Sequence, residues 1–157
     1  MDRLEHEFNL ITKVRPILAK PGSHSVKYRI NDNFLNFWFR FVYKYRSTVE
    51  IGNMEYLKEI IKRDYTTYSG PILEKYFMEK IKEEKKFSAL GTYWEKGNQN
   101  EIDIVGINEM EKRLFIAEVK RKKGNISIPS LKDKAKKLQA QHKGYQTEYH
   151  GLSLEAM

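Results

Sequence analysis

The 157-residue chain has no cysteine, which removes disulfides, thiolate zinc sites and cysteine nucleophiles together. Any metal would be held mainly by oxygen. Histidine is scarce as well: His6, His24, His142 and His150 form no i, i+4 pair, so the spacing carries no zinc signature. No run approaches the roughly 18 to 20 consecutive apolar residues of a membrane span. The opening "MDRLEHEFNL" lacks the basic start and apolar core of a signal peptide. The expectation is a cytoplasmic protein without a membrane partner. No G-x-x-x-x-G-K-[ST] occurs and none of the nine glycines precedes a lysine, so this chain has no P-loop ATP site. Internal repeats and low-complexity segments are also lacking.

What is present is enough for one principal core. Hydrophobic residues make up 40% and aromatics 13% of the chain, too rich for disorder. The net charge of +8 is concentrated: Lys112 to Lys143 holds eleven basic residues against two acids, Glu118 and Asp133, so the rest of the chain is nearly neutral. Such a region attracts polyanions and points to a phosphate backbone, with nucleic acid, DNA first, as the expected partner. A solvated lysine-rich helix face is the plainer alternative.

Periodicity and breakers predict the elements. "LITKVRPILAKPGSHSVKYRI" reads as two extended segments around the cluster "KPGSHS". "NDNFLNFWFRFVYKYR" reads as an aromatic helix capped by Asn31 or Asp32, with Phe34, Leu35, Trp38, Phe39 and Val42 in a core. "MEYLKEIIKRDYTTY" follows with Leu57, Ile60, Ile61 and Tyr65 at helical spacing. Gly70-Pro71 is expected to break the chain and start another helix, buried through Ile72, Leu73, Tyr76, Phe77 and Ile81, with Glu74 at the border of that stripe. Strands are predicted in "FSALGTYWEKGN", "EIDIVGI" and "RLFIAEVK". Ser130 then caps the helix "LKDKAKKLQAQ", with Leu131, Ala135 and Leu138 on one face, and the tail "YQTEYHGLSLEAM" can add a last strand. The fold class is α/β (α+β), a mixed sheet flanked by helices.

Two of those strands carry charge where apolar residues would be cheaper to bury. Glu118 and Lys120 share one face of their strand, as do Glu101, Asp103 and Val105 of theirs. A hairpin closing symmetrically over Met110 and Glu111 sets Asp103 opposite Glu118, with Cβ atoms about 4.5 to 5.5 Å apart. Opposed carboxylates repel, and a hard divalent cation between them reverses the sign. Mg²⁺ or Mn²⁺ suits two carboxylates and retained waters, and Lys120 beside it suits a phosphoryl transition state. The alternative is an edge strand ending in a Glu–Lys ladder, with Asp103 bonded to a nearby backbone group. Tyr93 and Trp94, at a strand end near these acids, are candidate base-stacking rings, with core packing as the alternative.

Glu74 on a helix, Asp103 within "EIDIV" and Glu118-Val119-Lys120 on the next strand resemble the PD-(D/E)XK, or restriction-endonuclease-like, nuclease superfamily, with Ile102-Asp103 in place of Pro-Asp. More widely, "YRINDNFLNFWFRFVYKYR", "YSGPILEKYF", "GTYWEKGNQNEIDIV", "IAEVKRKK" and "GLSLEAM" resemble the C-terminal domain of unknown function that follows the P-loop module of archaeal and bacterial AAA-type ATPases. That resemblance implies a winged-helix remnant, the wing or hairpin at 1–30, then a nuclease-like domain at 31–157 with a helical lead-in at 31–68. It implies Asp103 and Glu118 as metal ligands, Lys120 as transition-state stabiliser, and Glu74 as a carboxylate touching the metal or its water. Arg121, Lys122, Lys123, Lys134 and Lys137 are the expected phosphate contacts. Gln141 to Tyr145 fits a Gln-x-x-x-Tyr spacing found in some members, but Gly144 is expected to end the helix inside it.

The reading that follows is a Mg²⁺- or Mn²⁺-dependent nuclease acting on DNA, with an ATPase module or protein as further partner. The alternative is a catalytically silent nuclease-fold module for nucleic-acid binding, regulation or protein interaction, including self-association through the aromatic helix at 34–43 as a homodimer.

Overall fold

The structure is a computed structural model describing residues 2–20 and 22–156. Pro21, inside the predicted breaker cluster, lies outside the described residues. Of the described residues, those in Met1–Val14 and Val26–Ile72 form one compact unit, and those in Arg15–Ser25 and Leu73–Met157 a second.

In the first unit, β1 (Ile11–Val14) and β2 (Lys27–Ile30) pair antiparallel, Ile11 with Ile30 through Val14 with Lys27. Helix α1 (Asn33–Phe37) is capped by Asp32, whose Oδ1 accepts the Leu35 N–H at 2.8 Å. A π-helical turn, Trp38–Tyr43, and α2 (Arg46–Glu50) follow. The aromatic core here differs from the expectation. Phe41 is fully buried with Ile60 and Tyr68, flanked by Phe37 and Tyr45, whereas Phe34 is 67% exposed and Trp38 and Phe39 are also exposed. Aromatics all round the segment leave its phase unset by pattern alone. Phe37, Phe41 and Tyr45 recur every four residues, and that row is the one buried.

Helix α3 (Met54–Glu83) is a single 30-residue helix with Pro71 in its interior. The expected break at Gly70-Pro71 does not occur. Proline removes one i→i−4 bond and crowds the preceding turn, but each half of the helix has its own core to bury. Leu57, Ile60 and Tyr68 are buried in the first unit, and Leu73, Phe77 and Ile81 in the second. The Ser69 hydroxyl donates to the Tyr65 carbonyl at 2.8 Å, a side-chain bond one turn back just before the proline.

The second unit holds a four-stranded mixed sheet in the order β3-β4-β5-β6: β3 (Ala89–Glu95), β4 (Gln99–Asn108), β5 (Arg113–Val119) and β6 (Gln146–Leu152). The first three strands are antiparallel neighbours, and β6 runs parallel to β5 after a crossover through α4 (Ile128–Gln141). The predicted hairpin register holds, Ile104 with Ala117 through Asn108 with Arg113. Its turn is tied by the Glu111 N–H donating to Asn108 Oδ1 at 2.9 Å, with Lys112 at φ 51°.

Both sheet faces are covered. Leu114 and Ile116 pack with Val105, Ile107 and the fully buried α4 stripe Leu131, Ala135 and Leu138; Ala117, Val119 and Ile104 pack with Leu73, Phe77 and Ile81 of α3. Burying each of those leucines stabilises by about 1.5 to 3 kcal/mol. Helix α4 starts earlier than predicted. Its cap is Ser127, whose Oγ accepts the Ser130 N–H at 3.3 Å, and Pro129 occupies the first turn, where its missing N–H costs little. Ile17 and Ser25 are bonded to β3: the Ile17 N–H donates to the Thr92 carbonyl at 2.7 Å and Trp94 Nε1 to Ser25 Oγ at 2.8 Å. No helix among the described residues is long and apolar enough to cross a membrane.

Candidate active site

Glu118 is the penultimate residue of a central strand that is paired on both sides, and is only 6% exposed. A buried carboxylate in such a place needs compensation, and the compensation comes from α4. Lys134 Nζ donates to Glu118 Oε1 at 3.1 Å, the Ser127 N–H donates to Oε2 at 3.3 Å, and Lys120 Nζ lies 3.6 Å from Oε1. Burial pushes the Glu118 carboxyl up, but the Lys134 and Ser127 bonds and the charges of Lys120 and Lys134 together hold it below the ordinary glutamate range. Glu118 therefore sits on the α4 side of the sheet with its charge satisfied.

Asp103 lies at a β-bulge. Gly91 pairs with Val105 but Tyr93 with Ile102, so β4 carries an extra residue there relative to β3. The bulge sends Ile102 and Ile104 to opposite cores although they are two residues apart. The pairing of β4 with β5 stays regular up to Ile104–Ala117, the step next to Asp103 and Glu118. Asp103 Oδ2 accepts the Val119 N–H at 2.7 Å. That part of the plainer alternative holds, but its other part does not: β5 is no edge strand. Burial dominates the Asp103 carboxyl and raises it above the ordinary aspartate range, against the Val119 bond and the Lys120 charge; the neighbouring Glu118 charge adds to the rise. The two carboxyls are thus pushed in opposite directions.

Lys120 is fixed through its backbone, its N–H donating to the Leu152 carbonyl at 2.9 Å and prolonging the β5–β6 ladder. Arg121 is half-buried beyond β5, and Lys122 and Lys123 are exposed, Lys122 capping and Lys123 opening a short 3₁₀ turn. Lys137 Nζ is 3.4 Å from Glu95 Oε2, at the end of β3. Lys134 and Lys137 are thus engaged with acids of the sheet rather than simply solvated. Glu74, half-buried on α3, stands beside Leu73 as the helical pattern predicts. Among the described residues no three of His, Cys, Asp and Glu converge as a metal cluster, so Glu74 does not join Asp103 and Glu118 in one.

Several participants were not singled out from the sequence. Ser127 supplies a backbone donor to Glu118, and Glu95 binds Lys137 while accepting from Tyr93 Oη at 3.1 Å. Gly151 is the β6 register partner of Glu118. The i, i+3 spacing of Lys134 and Lys137 beside the Leu131-Ala135-Leu138 stripe was the available signal. Tyr93 and Trp94 are buried, at 6% and 4% exposure, so they are core rings and not stacking platforms. The helix ends at Gln141 with His142 as its C-cap, earlier than the expected stop at Gly144, which has φ 85°, so Gln141 to Tyr145 do not share a helix.

The donor set fits a hard divalent cation. Asp103 and Glu118 offer oxygen, Asp103 is a desolvated acid that a nearby positive charge would relieve, and the position beside Glu118 already collects cations. A family model described as archaeal and bacterial proteins of unknown function matches residues 38–138, which include Glu74, Glu95, Asp103, Glu118, Lys120 and Lys134. The chain belongs to this family, DUF234. An uncharacterised protein of Methanocaldococcus jannaschii is 34% identical over 123 residues, covering 74% of this chain and 27% of that protein. The chain therefore spans about a quarter of the length of that relative. No solved structure matches it. Membership of DUF234 thus brings no assigned activity.

Proposed function

We propose that the acidic end of this sheet is the hydrolytic site of a Mg²⁺- or Mn²⁺-dependent nuclease acting on DNA, in a restriction-endonuclease-like domain of the kind that follows ATPase modules. The observation that carries this reading is Glu118: a buried carboxylate, penultimate in a central strand, next to the last regular pairing with the Asp103 strand, with Lys120 on its own face. The element order, helix, three antiparallel strands, helix and a last strand, is the one that periodicity and breakers predict.

Asp103 and Glu118 would hold the ion, with Glu74 contributing through a water. When bound, a hard divalent ion acidifies water and offsets phosphate charge. Lys120, anchored by its backbone bond to Leu152, presents an ammonium where negative charge grows on the scissile phosphate. Arg121, Lys122 and Lys123, directly after the strand, hold neighbouring phosphates of the polymer. The site is tested by incubating DNA with the protein and Mg²⁺ or Mn²⁺: cleavage is expected, and its loss in folded Asp103→Asn and Lys120→Ala. Wild-type rates in either variant would overturn the assignment.

A second reading has its own support. Glu118 is already neutralised by two ammonium groups, and three acids do not converge among the described residues. This favours a silent module that binds nucleic acid through its basic region. DNA binding unaffected by metal, with no cleavage by the wild type, would select it.

A further inference from the structure

Two ammonium groups crowd one carboxylate oxygen. Lys134 Nζ is 3.1 Å and Lys120 Nζ 3.6 Å from Glu118 Oε1, while Oε2 is taken by the Ser127 N–H. The two lysines are held differently. Lys120 continues a strand and its backbone is bonded to Leu152. Lys134 reaches the same oxygen from a helix, on a flexible four-carbon stem, and its side chain is 31% exposed. It can leave for solvent without disturbing the buried stripe of Leu131, Ala135 and Leu138 that borders it.

We infer that Lys134 is a built-in counter-ion standing in for the metal: it neutralises Glu118 in the metal-free protein, and a divalent cation displaces it toward the phosphate backbone. This rests on the carboxylate site proposed above. An ammonium and a divalent ion at Glu118 Oε1 repel strongly; of the two lysines, 40% and 31% exposed, Lys120 is the one the proposed site keeps, so Lys134 is the one that leaves. Its release adds a cation to the surface facing the polyanion. Metal and nucleic acid then reinforce each other's binding, and by linkage the coupling is reciprocal. Lys134 in this role is a positioning residue, acting through Glu118.

The test is Mn²⁺ titration of the purified protein without DNA, read by calorimetry or by the loss of free Mn²⁺ electron-spin signal. Lys134→Met, which keeps the stem and removes the charge, is expected to bind Mn²⁺ about tenfold more tightly, the order one unit charge near a divalent ion is worth in water-like dielectric. Lys134→Arg, which keeps the charge, is expected to bind no more tightly than wild type. Lys134→Gln serves in the same way should the methionine variant fail to fold. Equal or weaker Mn²⁺ affinity in the uncharged variants, with wild-type binding still abolished by Asp103→Asn, would overturn the exchange and leave the carboxylate site standing. Absence of saturable Mn²⁺ binding in the wild type would overturn both.

Discussion

Glu118 and Gly151 are register partners across the parallel pair of β5 and β6, and Ile126 fills the space a side chain at Gly151 would need. A Cβ placed there would lie 2.6 Å from Ile126 Cγ2 and 3.0 Å from Cδ1. Ile126 precedes Ser127, whose N–H reaches Glu118 and whose hydroxyl caps α4. The glycine thus lets the helix start close enough to serve the carboxylate.

Gly151→Ala is therefore expected to destabilise the protein by about 1 to 3 kcal/mol through overpacking. Combining it with Ile126→Ala should recover part of the loss, because the second change vacates the volume the first one needs. Urea denaturation of the two single variants and the double variant measures the coupling. Strict additivity would show that the two positions do not press on each other.

Asp103 and Glu118 should respond in opposite directions to loss of charge in the metal-free protein. Asp103→Asn keeps an acceptor for the Val119 N–H and removes a desolvated charge, so stability at neutral pH should rise by about 1 kcal/mol. Glu118→Gln strands Lys134 and Lys120 without their partner. The cost should be about 1 to 3 kcal/mol, discounted because Lys134 is 31% exposed. The pH dependence follows from the signs. Asp103 is raised in the folded state, so the wild type binds its proton more readily folded than unfolded and recovers stability as pH falls. The advantage of Asp103→Asn should shrink on acidification and vanish below the ordinary aspartate value of about 3.9. Glu118 is lowered, so its contribution is present at neutral pH and lost as pH drops through its folded value. Thermal melts across that range test both signs.

The parts of this architecture legible in the sequence are those fixed by short-range rules. The two-residue period and the Met110-Glu111 turn set the β4–β5 register correctly, and the Leu131-Ala135-Leu138 row gave the buried face of α4. What was not legible needed contacts distant in the chain. Phe41 is chosen over Phe39 because Ile60 and Tyr68 lie on its side. Lys134 is an ordinary helix lysine until Glu118, sixteen residues earlier, is folded beneath it. Pro71 reads as a breaker locally and is overruled by the apolar residues on both sides of it in α3.

Pro71 makes that last point measurable. It stands in the interior of α3, exposed, where proline costs about 3 kcal/mol relative to alanine. Pro71→Ala supplies the missing N–H to the Thr67 carbonyl and relieves the crowded turn, so melting temperature should rise. A fall in stability would mean that the proline is favoured at this position although it lies inside α3.

The basic run after β5 gives the most direct test of a nucleic-acid partner. Lys122 and Lys123 are exposed, so neutralising them should cost little stability. Each lysine that meets a phosphate releases counter-ions and steepens the log–log dependence of DNA affinity on salt by about 0.9. Lys122→Ala with Lys123→Ala should flatten the slope by about 1.8 if both make such contacts, and should weaken binding similarly for DNA of any sequence. Lys58→Ala removes one unit of charge at a lysine already paired with Glu55 at 2.6 Å, and should leave the slope unchanged. Fluorescence anisotropy over a salt series reads all three proteins. A response to the Lys58 change half that to the paired Lys122 and Lys123 changes, equal per charge removed, would mean that affinity follows net charge alone, and that the run beside Glu118 has no special place in holding DNA.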